Sequence, residues 1–228
     1  MLRETGRVPR VRGTVLATIL LAASLLTTAP PIGAATGDRE RALAALAMRD
    51  DVKARRQGAE ALGEFGVMAD VPSLTAALRD PDAEVRALAE RSLWLVWSRS
   101  GDPAVDQRFL RGVEQMQQQE LEDAIETFTD IIARKPEFAE GWNKRATAYY
   151  LAGELDRSLA DCDEVMKRNP AHFGALSGYG MIYLQLGKPD RALGYFERAL
   201  AVNPNLAGIA EAVQAIKRFL EQQRQGTT

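Results

Sequence analysis

The sequence is poor in the two side chains that most often bind zinc. Among 228 residues it has one cysteine, Cys162, and one histidine, His172. A single cysteine excludes a disulfide within the chain, and no second thiol or imidazole is placed to complete a metal site. We expect Cys162 to be a small buried apolar residue, and His172 to be a surface residue or a helix cap.

Motifs of catalysis are also missing. The sequence has no Gly-rich phosphate-binding loop, no nucleophile elbow and no metalloprotease signature. Acidic residues are common, but Asp161, Asp163 and Glu164 fall on one predicted helix, and we interpret them as its solvent-facing side. We therefore predict a protein that is not an enzyme, with no catalytic residue, no metal site and no cofactor.

Positive charge is scarce outside the N-terminus. The net charge is −2, and the chain after residue 35 has 25 basic and 30 acidic residues. Proteins that hold nucleic acid need a basic surface, so we expect no nucleic-acid partner. Alanine, leucine, glutamate and arginine dominate, while alternating β-branched runs are rare, which together predict an all-α fold.

The first 35 residues have the order of a secretory signal peptide. Four arginines occur by position 12, an uncharged run covers Thr14 to Leu26, and small residues precede Thr36. The run is shorter than the roughly 20 residues of a membrane-spanning helix. We predict cleavage near Ala35, a periplasmic or secreted protein, and no membrane span after cleavage. The alternative is a membrane anchor formed by an uncleaved signal.

A regular repeat period organises the chain from Val105 onward. Pro136, Pro170 and Pro204 are equally spaced, and the small residues Gly112, Ala146 and Gly180 keep the same spacing. Such a period, about 34 residues, is typical of stacked helix hairpins. Each hairpin is too small to bury its apolar face alone, so neighbours must cover one another.

This array resembles the tetratricopeptide repeat family. The matching residues are Gly112, Ala124, Phe128 and Pro136, then Trp142, Ala146, Tyr149 and Pro170, then Leu176, Gly180, Tyr183, Ala192, Phe196 and Pro204. Arg108 and Gln115 depart from the pattern in the first repeat, and Ser158 and Cys162 stand at the usual Ala and Phe positions of the second. The resemblance implies repeats at Val105–Pro136, Ala139–Pro170 and Phe173–Pro204.

A second periodicity, slightly shorter, precedes the array. Arg55, Gly58, Leu62 and Pro72 recur at one constant interval as Arg86, Ala89, Leu93 and Pro103. The runs 61–66 and 80–86 resemble HEAT-type repeats, and that resemblance implies an Asp–Arg pair between repeats, matched here by Asp82 and Arg86, with Arg55 in the earlier copy. We expect these helices to stack on the array and cap it, with Trp94 and Trp97 buried at the join.

The fold class is therefore predicted as an all-α solenoid of antiparallel helix hairpins. We divide the chain into a signal peptide (1–35), HEAT-like repeats (36–104), three tetratricopeptide repeats (105–204), and a capping helix with a frayed tail (205–228). Apolar residues on one face of Leu206–Gln223 predict the capping helix.

The family geometry places the first helix of each repeat on the concave face. The implied lining residues are Phe109, Val113, Met116, Asn143, Thr147, Tyr150, Ser177, Met181 and Leu184. Because only Lys144 and Arg145 supply positive charge there, we expect no clamp for a terminal carboxylate. An extended or helical peptide with apolar anchors suits this mixed surface better.

The predicted function is a non-enzymatic adaptor or scaffold of the cell envelope, with an unidentified protein partner. Two alternatives stay open. One is a structural subunit of a permanent envelope complex, with the repeat faces buried against a partner. The other is a rigid spacer in which the adjoining N-terminal helices cover Phe109 and Met116.

Overall fold

The structure is a computed structural model that describes residues 32–225, so most of the predicted signal peptide lies outside the described residues. Within this range there are α-helices, one short 3₁₀ helix at Met68–Asp70, and no strand. The helices are α1 (Ile32–Leu46), α2 (Val52–Phe65), α3 (Val71–Ala77), α4 (Ala83–Trp97), α5 (Pro103–Gln117), α6 (Leu121–Arg134), α7 (Ala139–Leu151), α8 (Leu155–Arg168), α9 (Phe173–Gln185), α10 (Pro189–Val202) and α11 (Ala207–Gln225). The all-α solenoid prediction is confirmed.

Helices α5 to α10 form three hairpins that share one turn geometry. Each inner turn has one residue with positive φ, at Gln119 (64°), Gly153 (80°) and Gly187 (67°). These three turn residues are spaced by one repeat period. Glycine adopts this conformation without the steric conflict that a side chain brings, so the first hairpin has the least favourable turn residue of the three.

Close packing inside each hairpin depends on matched volumes at two positions. A Cβ atom added to Gly112 would lie 2.8 Å from the Phe128 ring, and one added to Gly180 would overlap Phe196. In the second hairpin the same two positions hold Ala146 and Cys162, which pack in one buried cluster. The large ring therefore faces glycine, and the small thiol faces alanine.

The N-terminal unit, residues 36–97, is held together by ion pairs as well as by its core. Arg55 binds Asp80 with two hydrogen bonds of 2.8 and 3.2 Å. Arg56 binds Asp82 in the same manner, and Asp82 also accepts from the backbone N–H of Val85 to cap α4. The pairing of Asp82 with Arg86 that the HEAT-type resemblance implied is wrong, because Arg56 takes the carboxylate.

The N-terminal unit lies against the far end of the array, although it precedes the first repeat in sequence. Trp94 and Trp97 pack on His172 and Phe173 at the start of the third repeat. Their exposed fractions are 7% and 3%, so the prediction that both are buried where the two parts meet is confirmed.

Hydrogen bonds extend this contact to the turn after α10. Arg79 donates to the carbonyl oxygens of Ala201 and Val202. Asn205 donates to the carbonyl oxygen of Leu78 at 2.8 Å. The N-terminal unit and the end of the array therefore share one continuous hydrophobic core, which includes the buried face of α11.

The fit of Phe196 against Gly180 gives a first prediction. Gly180→Ala should lower the free energy of unfolding by about 1–3 kcal/mol, because the added methyl group overlaps a fully buried ring. Gly178→Ala, in the same helix, is the matched control. Its Cβ meets only the Cys162 sulfur at 3.8 Å, so helix propensity should raise stability by up to about 1 kcal/mol. Urea denaturation measures both, and equal effects of the two substitutions would contradict the packing account.

Candidate functional site: a concave cavity and a buried charged cluster

A small cavity opens between the second and third repeats. It has a volume of about 30 Å³. It is lined by Asn143, Ala146, Thr147 and Tyr150 of α7, Ser158 and Cys162 of α8, and Gly174, Gly178, Met181 and Ile182 of α9. This volume exceeds the roughly 10–15 Å³ that is needed to hold one water molecule, so the cavity has room for the tip of one small side chain.

The walls of the cavity are mostly apolar, because the hydroxyl groups of Thr147 and Ser158 are hydrogen-bonded to the backbone. Thr147 Oγ1 donates to the carbonyl oxygen of Asn143 at 2.9 Å. Ser158 Oγ donates to the carbonyl oxygen of Ala146 at 2.7 Å. Partial burial raises the pKa of the half-buried Tyr150, so its phenol is neutral near pH 7. An apolar group is the occupant that this lining favours.

The origin of the cavity is the small residue at position 162. In the first and third repeats the equivalent position holds Phe128 and Phe196, both fully buried. Cys162 is also buried, at 2% exposure, which confirms that it is a packed apolar residue. Burial raises the pKa of its thiol, so the thiolate is disfavoured.

The structure brings together four of the nine predicted lining residues, namely Asn143, Thr147, Tyr150 and Met181. Ser177 is buried and donates to the carbonyl oxygen of Phe173, while Leu184 is half-buried beside the shared core.

The three predicted lining residues of the first repeat do not reach this cavity. Phe109, Val113 and Met116 are buried in a separate cluster with Phe128 and Phe138. These three residues are covered by side chains of the repeats. In the spacer alternative, the N-terminal helices were expected to cover Phe109 and Met116. Because all three side chains are buried, none of them is accessible to a partner protein.

The sequence analysis missed the contribution of α8 and of the glycines of α9. Ser158, Cys162, Gly174 and Gly178 line the cavity but were not proposed as site residues. The signal was present in the sequence, because Ser158 and Cys162 are the departures of the second repeat from the family pattern. A small residue in place of a large one leaves space.

A charged cluster is buried beside the cavity. The side chains of Glu140, Lys144 and His172 are all at most 3% exposed. One carboxylate oxygen of Glu140 lies 2.7 Å from His172 Nε2, and the other lies 3.5 Å from Lys144 Nζ. Asn143 Nδ2 also donates to the carboxylate at 3.1 Å. Three donors thus converge on one buried anion.

His172 is a cap, as the sequence suggested, but it is not a surface residue. Its Nδ1 accepts from the backbone N–H of Ala175 at 3.1 Å and caps α9, so in the neutral ring the proton is on Nε2 and is donated to Glu140. Trp97 stacks on the imidazole with ring centroids 4.3 Å apart. The interpretation of His172 as a surface residue is therefore wrong, because the N-terminal unit covers it.

The neighbours of Glu140 decide its charge. Burial raises the pKa of a carboxyl group, but the attraction of Lys144 and the hydrogen bonds from His172 and Asn143 outweigh it. The pKa of Glu140 lies below its usual value. Glu140 is therefore an anion near pH 7.

One of the three acidic residues predicted to face solvent does not. Asp161 is buried and accepts two hydrogen bonds from Arg145, at 2.7 and 2.8 Å. Asp163 is exposed and Glu164 is half-buried, so the prediction is wrong for Asp161 and holds best for Asp163. The ion pair with Arg145 joins α8 to α7.

A metal-binding group and a membrane-spanning helix are both absent from the described residues. In residues 32–225, His, Cys, Asp and Glu form no group of three or more that is arranged to hold a metal ion. Over the same residues, no helix is long and apolar enough to cross a bilayer.

The charged cluster gives a second prediction. Glu140→Gln should lower the free energy of unfolding at pH 7 by about 3 kcal/mol, since it removes the carboxylate that is paired with buried Lys144. The carboxylate stabilises the fold above the pKa of unfolded glutamate, about 4.3, and that contribution is lost as the pH falls through the lower pKa of the folded state. The difference between the two proteins should therefore shrink in acid.

Urea denaturation at several pH values measures this difference. The double variant Glu140→Gln/Lys144→Met is the control, and it should recover much of the lost stability because both charges of the pair are removed together. A single variant as stable as the unaltered chain at pH 7 would contradict this account of the cluster.

Comparison with known proteins places the repeats in a family. The sequence pattern of the tetratricopeptide repeat matches residues 109–172 and 173–206. A TPR repeat-containing protein of Rhizobium etli is 32% identical over 126 residues, which are 55% of this chain and 61% of that protein. Anaphase-promoting complex subunit 7 of Dictyostelium discoideum is 33% identical over 85 residues, which are 37% of this chain and 15% of that protein.

The fold has counterparts among solved structures as well. The TPR domain of Sgt2 from Aspergillus fumigatus superposes with a TM-score of 0.52 and 20% sequence identity, over 56% of this chain and 85% of that one. The chain spans 61% or less of the two curated relatives named above.

The two matches to the sequence pattern cover residues 109–206 without a gap, and these residues are therefore tetratricopeptide repeats.

Proposed function

We propose that this chain is a non-enzymatic adaptor that binds an apolar segment of a partner protein on the concave face of its repeats. The observation that carries the proposal is the cavity left by Cys162, which has apolar walls and opens beside the half-exposed side chains of Thr147 and Tyr150. A cavity of about 30 Å³ suits one small aliphatic anchor.

We place this adaptor in the cell envelope, in the periplasm or outside the cell. The support is the order of the first 35 residues: arginines, then an uncharged run, then small residues before Thr36. We also propose that α1 to α4 are two HEAT-like helix pairs, because α1 packs on α2, α3 packs on α4, and α2 contacts α4.

A second candidate function is that of a structural subunit in a permanent envelope complex. The observation that favours it is a set of large apolar side chains exposed outside the groove, at the two ends of α2. These are Met48, Val52, Val67 and Met68, which are 41–52% exposed. One relative, subunit 7 of the anaphase-promoting complex, is by its name also part of an assembly. Scattered exposed apolar residues are common, so the cavity remains the stronger argument.

The adaptor proposal predicts that partner capture depends on the cavity rim. Tyr150→Ala should reduce the amount of partner protein that the immobilised chain recovers from envelope extract, by about tenfold or more. The reason is that the substitution removes a rim side chain that contacts the anchor of the partner. Quantitative mass spectrometry measures the recovery. Glu126→Ala, an exposed position on α6, is the control and should change nothing.

Two results would overturn this proposal. Recovery of the chain's own copies alone would exclude an adaptor, and equal recovery by Tyr150→Ala would place the partner surface elsewhere. Capture that is lost after Met48→Ser and Val67→Ser, but kept after Tyr150→Ala, would support the structural subunit instead.

The envelope location has its own test. When the full chain with a C-terminal tag is produced in a bacterial cell, we expect the mature N-terminus to be Thr36 and the protein to be in the periplasmic fraction. Ala35→Tyr should block cleavage, because the cut requires a small residue at this position. N-terminal sequencing reads the result. An uncleaved protein in the membrane fraction would establish the anchor alternative, and an uncleaved protein in the cytoplasm would contradict both.

A further inference from the structure

Helix α4 presents two different faces to the rest of the molecule. Its apolar face packs inside the N-terminal unit through Val85, Ala89, Leu93 and Val96. A second stripe, made of Arg86, Glu90, Trp94 and Trp97, faces the repeat array. The spacing of four, four and three residues places these side chains on one side of a helix.

The first half of this stripe makes polar contacts with the turn after α10. Arg86 Nε donates to Asn205 Oδ1 at 3.0 Å. Glu90 Oε2 accepts from Asn203 Nδ2 at 3.0 Å. Each contact is a hydrogen bond between two side chains, so each depends on the identity of both residues.

The second half makes aromatic contacts with the turn before α9. Trp94 lies against Gly174, where a Cβ atom would be 2.5 Å from the ring, so only glycine lets the indole approach. Trp94 also meets Phe173 edge to face, with centroids 5.3 Å apart. Trp97 stacks on His172. The turns before α9 and after α10 together make one surface, which we call the helix-docking surface.

The contact has the composition of an interface between separable proteins. Two tryptophans form one end of it, and polar side chains of Arg79, Arg86, Asn203 and Asn205 form the other end. Buried aromatic anchors beside hydrogen-bonded polar side chains are typical of protein–protein interfaces. The array side also buries the charges of Glu140 and Lys144, which a permanent core rarely contains.

The fit of α4 is incomplete at the His172 end. Nδ2 of Asn169 and Nε1 of Trp97 are buried, and neither has a hydrogen-bond partner among residues 32–225. Asn169 precedes Asn203 by one repeat period, and Asn203 has its partner in Glu90. Unsatisfied buried donors weaken a contact, which is the property expected of an occupant that another helix can displace.

We propose that α4 is a built-in ligand of the helix-docking surface, and that a partner helix with a carboxylate followed by aromatic residues four and seven positions later displaces it. The joint for this movement is Gly101, with φ of 79°, between the N-terminal unit and α5. Arg99 stays with the N-terminal unit because it donates to the carbonyl oxygens of Gly63 and Gly66. This surface shares Gly174 with the lining of the cavity. The two proposals can still fail separately, because Tyr150→Ala tests the rim of the cavity, whereas Arg86→Ala/Glu90→Ala changes only residues of α4.

The test uses a labelled synthetic peptide of residues 83–97 and the full chain. In the unaltered chain α4 occupies the surface, so the peptide should bind weakly. Arg86→Ala/Glu90→Ala removes two contacts with the array. It also removes the hydrogen bonds from Arg86 to the carbonyl oxygens of Asp80 and Pro81, but it removes no apolar side chain from the shared core. If the open form is about one tenth of the unaltered chain and this variant is mostly open, it should bind the peptide about tenfold more tightly by fluorescence anisotropy.

Three controls make the test specific. Arg91→Ala changes an exposed residue of the same helix and should bind the peptide as the unaltered chain does. A peptide with alanine in place of both tryptophans should bind neither protein. Gly174→Leu, combined with Arg86→Ala/Glu90→Ala, should abolish the gain, because the leucine side chain fills the space of Trp94.

The outcomes are decisive in both directions. Tighter binding by Arg86→Ala/Glu90→Ala that is lost with Gly174→Leu supports the proposal. Equal binding by the unaltered chain and the variant, including no binding by either, would show that α4 is a fixed part of the fold. Circular dichroism of each variant confirms that helix content is unchanged.

Discussion

The contact of Trp94 and Trp97 with His172 and Phe173 determines the arrangement of the whole molecule. It joins the N-terminal unit to the third repeat, across the whole of the first two repeats in sequence, and it covers the charged cluster around Glu140. The two rings cover the imidazole of His172, and they are the aromatic side chains that hold α4 against the array. Large aromatic side chains contribute most of the energy in contacts of this kind.

A second constraint is the volume shared by the two helices of each hairpin. Where the second helix carries phenylalanine, the first carries glycine, and where it carries Cys162, the first carries Ala146. The exchange does not conserve volume fully, and the remaining space is the cavity. The candidate binding site is thus a consequence of how the second repeat departs from its neighbours.

The sequence predicted the fold well because periodicity is a local signal. The repeat period located the hairpins, and the buried states of Cys162, Trp94 and Trp97 followed from their positions on helices. The failures concern contacts between different helices. His172 is covered by Trp97 of α4, and Asp161 is paired with Arg145 of the preceding helix. Phe109, Val113 and Met116 were assigned to the groove by family geometry, but in this chain Phe138 and Phe128 cover them. The spacing of residues within one helix does not encode which side chains of other helices cover it.

The most direct test of this architecture is a distance between the N-terminal unit and the end of the array. Spin labels at Arg79→Cys and Ala201→Cys occupy two exposed positions that face each other across the contact. The substitution removes the hydrogen bonds of Arg79 but leaves the aromatic contacts of Trp94 and Trp97, and Cys162 is replaced by serine to avoid a third label. Pulsed electron paramagnetic resonance should show one narrow population below about 20 Å, given adjacent helices roughly 10 Å apart. If the N-terminal unit instead extended the array from its first repeat, several helix layers would separate the labels, and a dominant distance of about 30 Å or more would contradict the account.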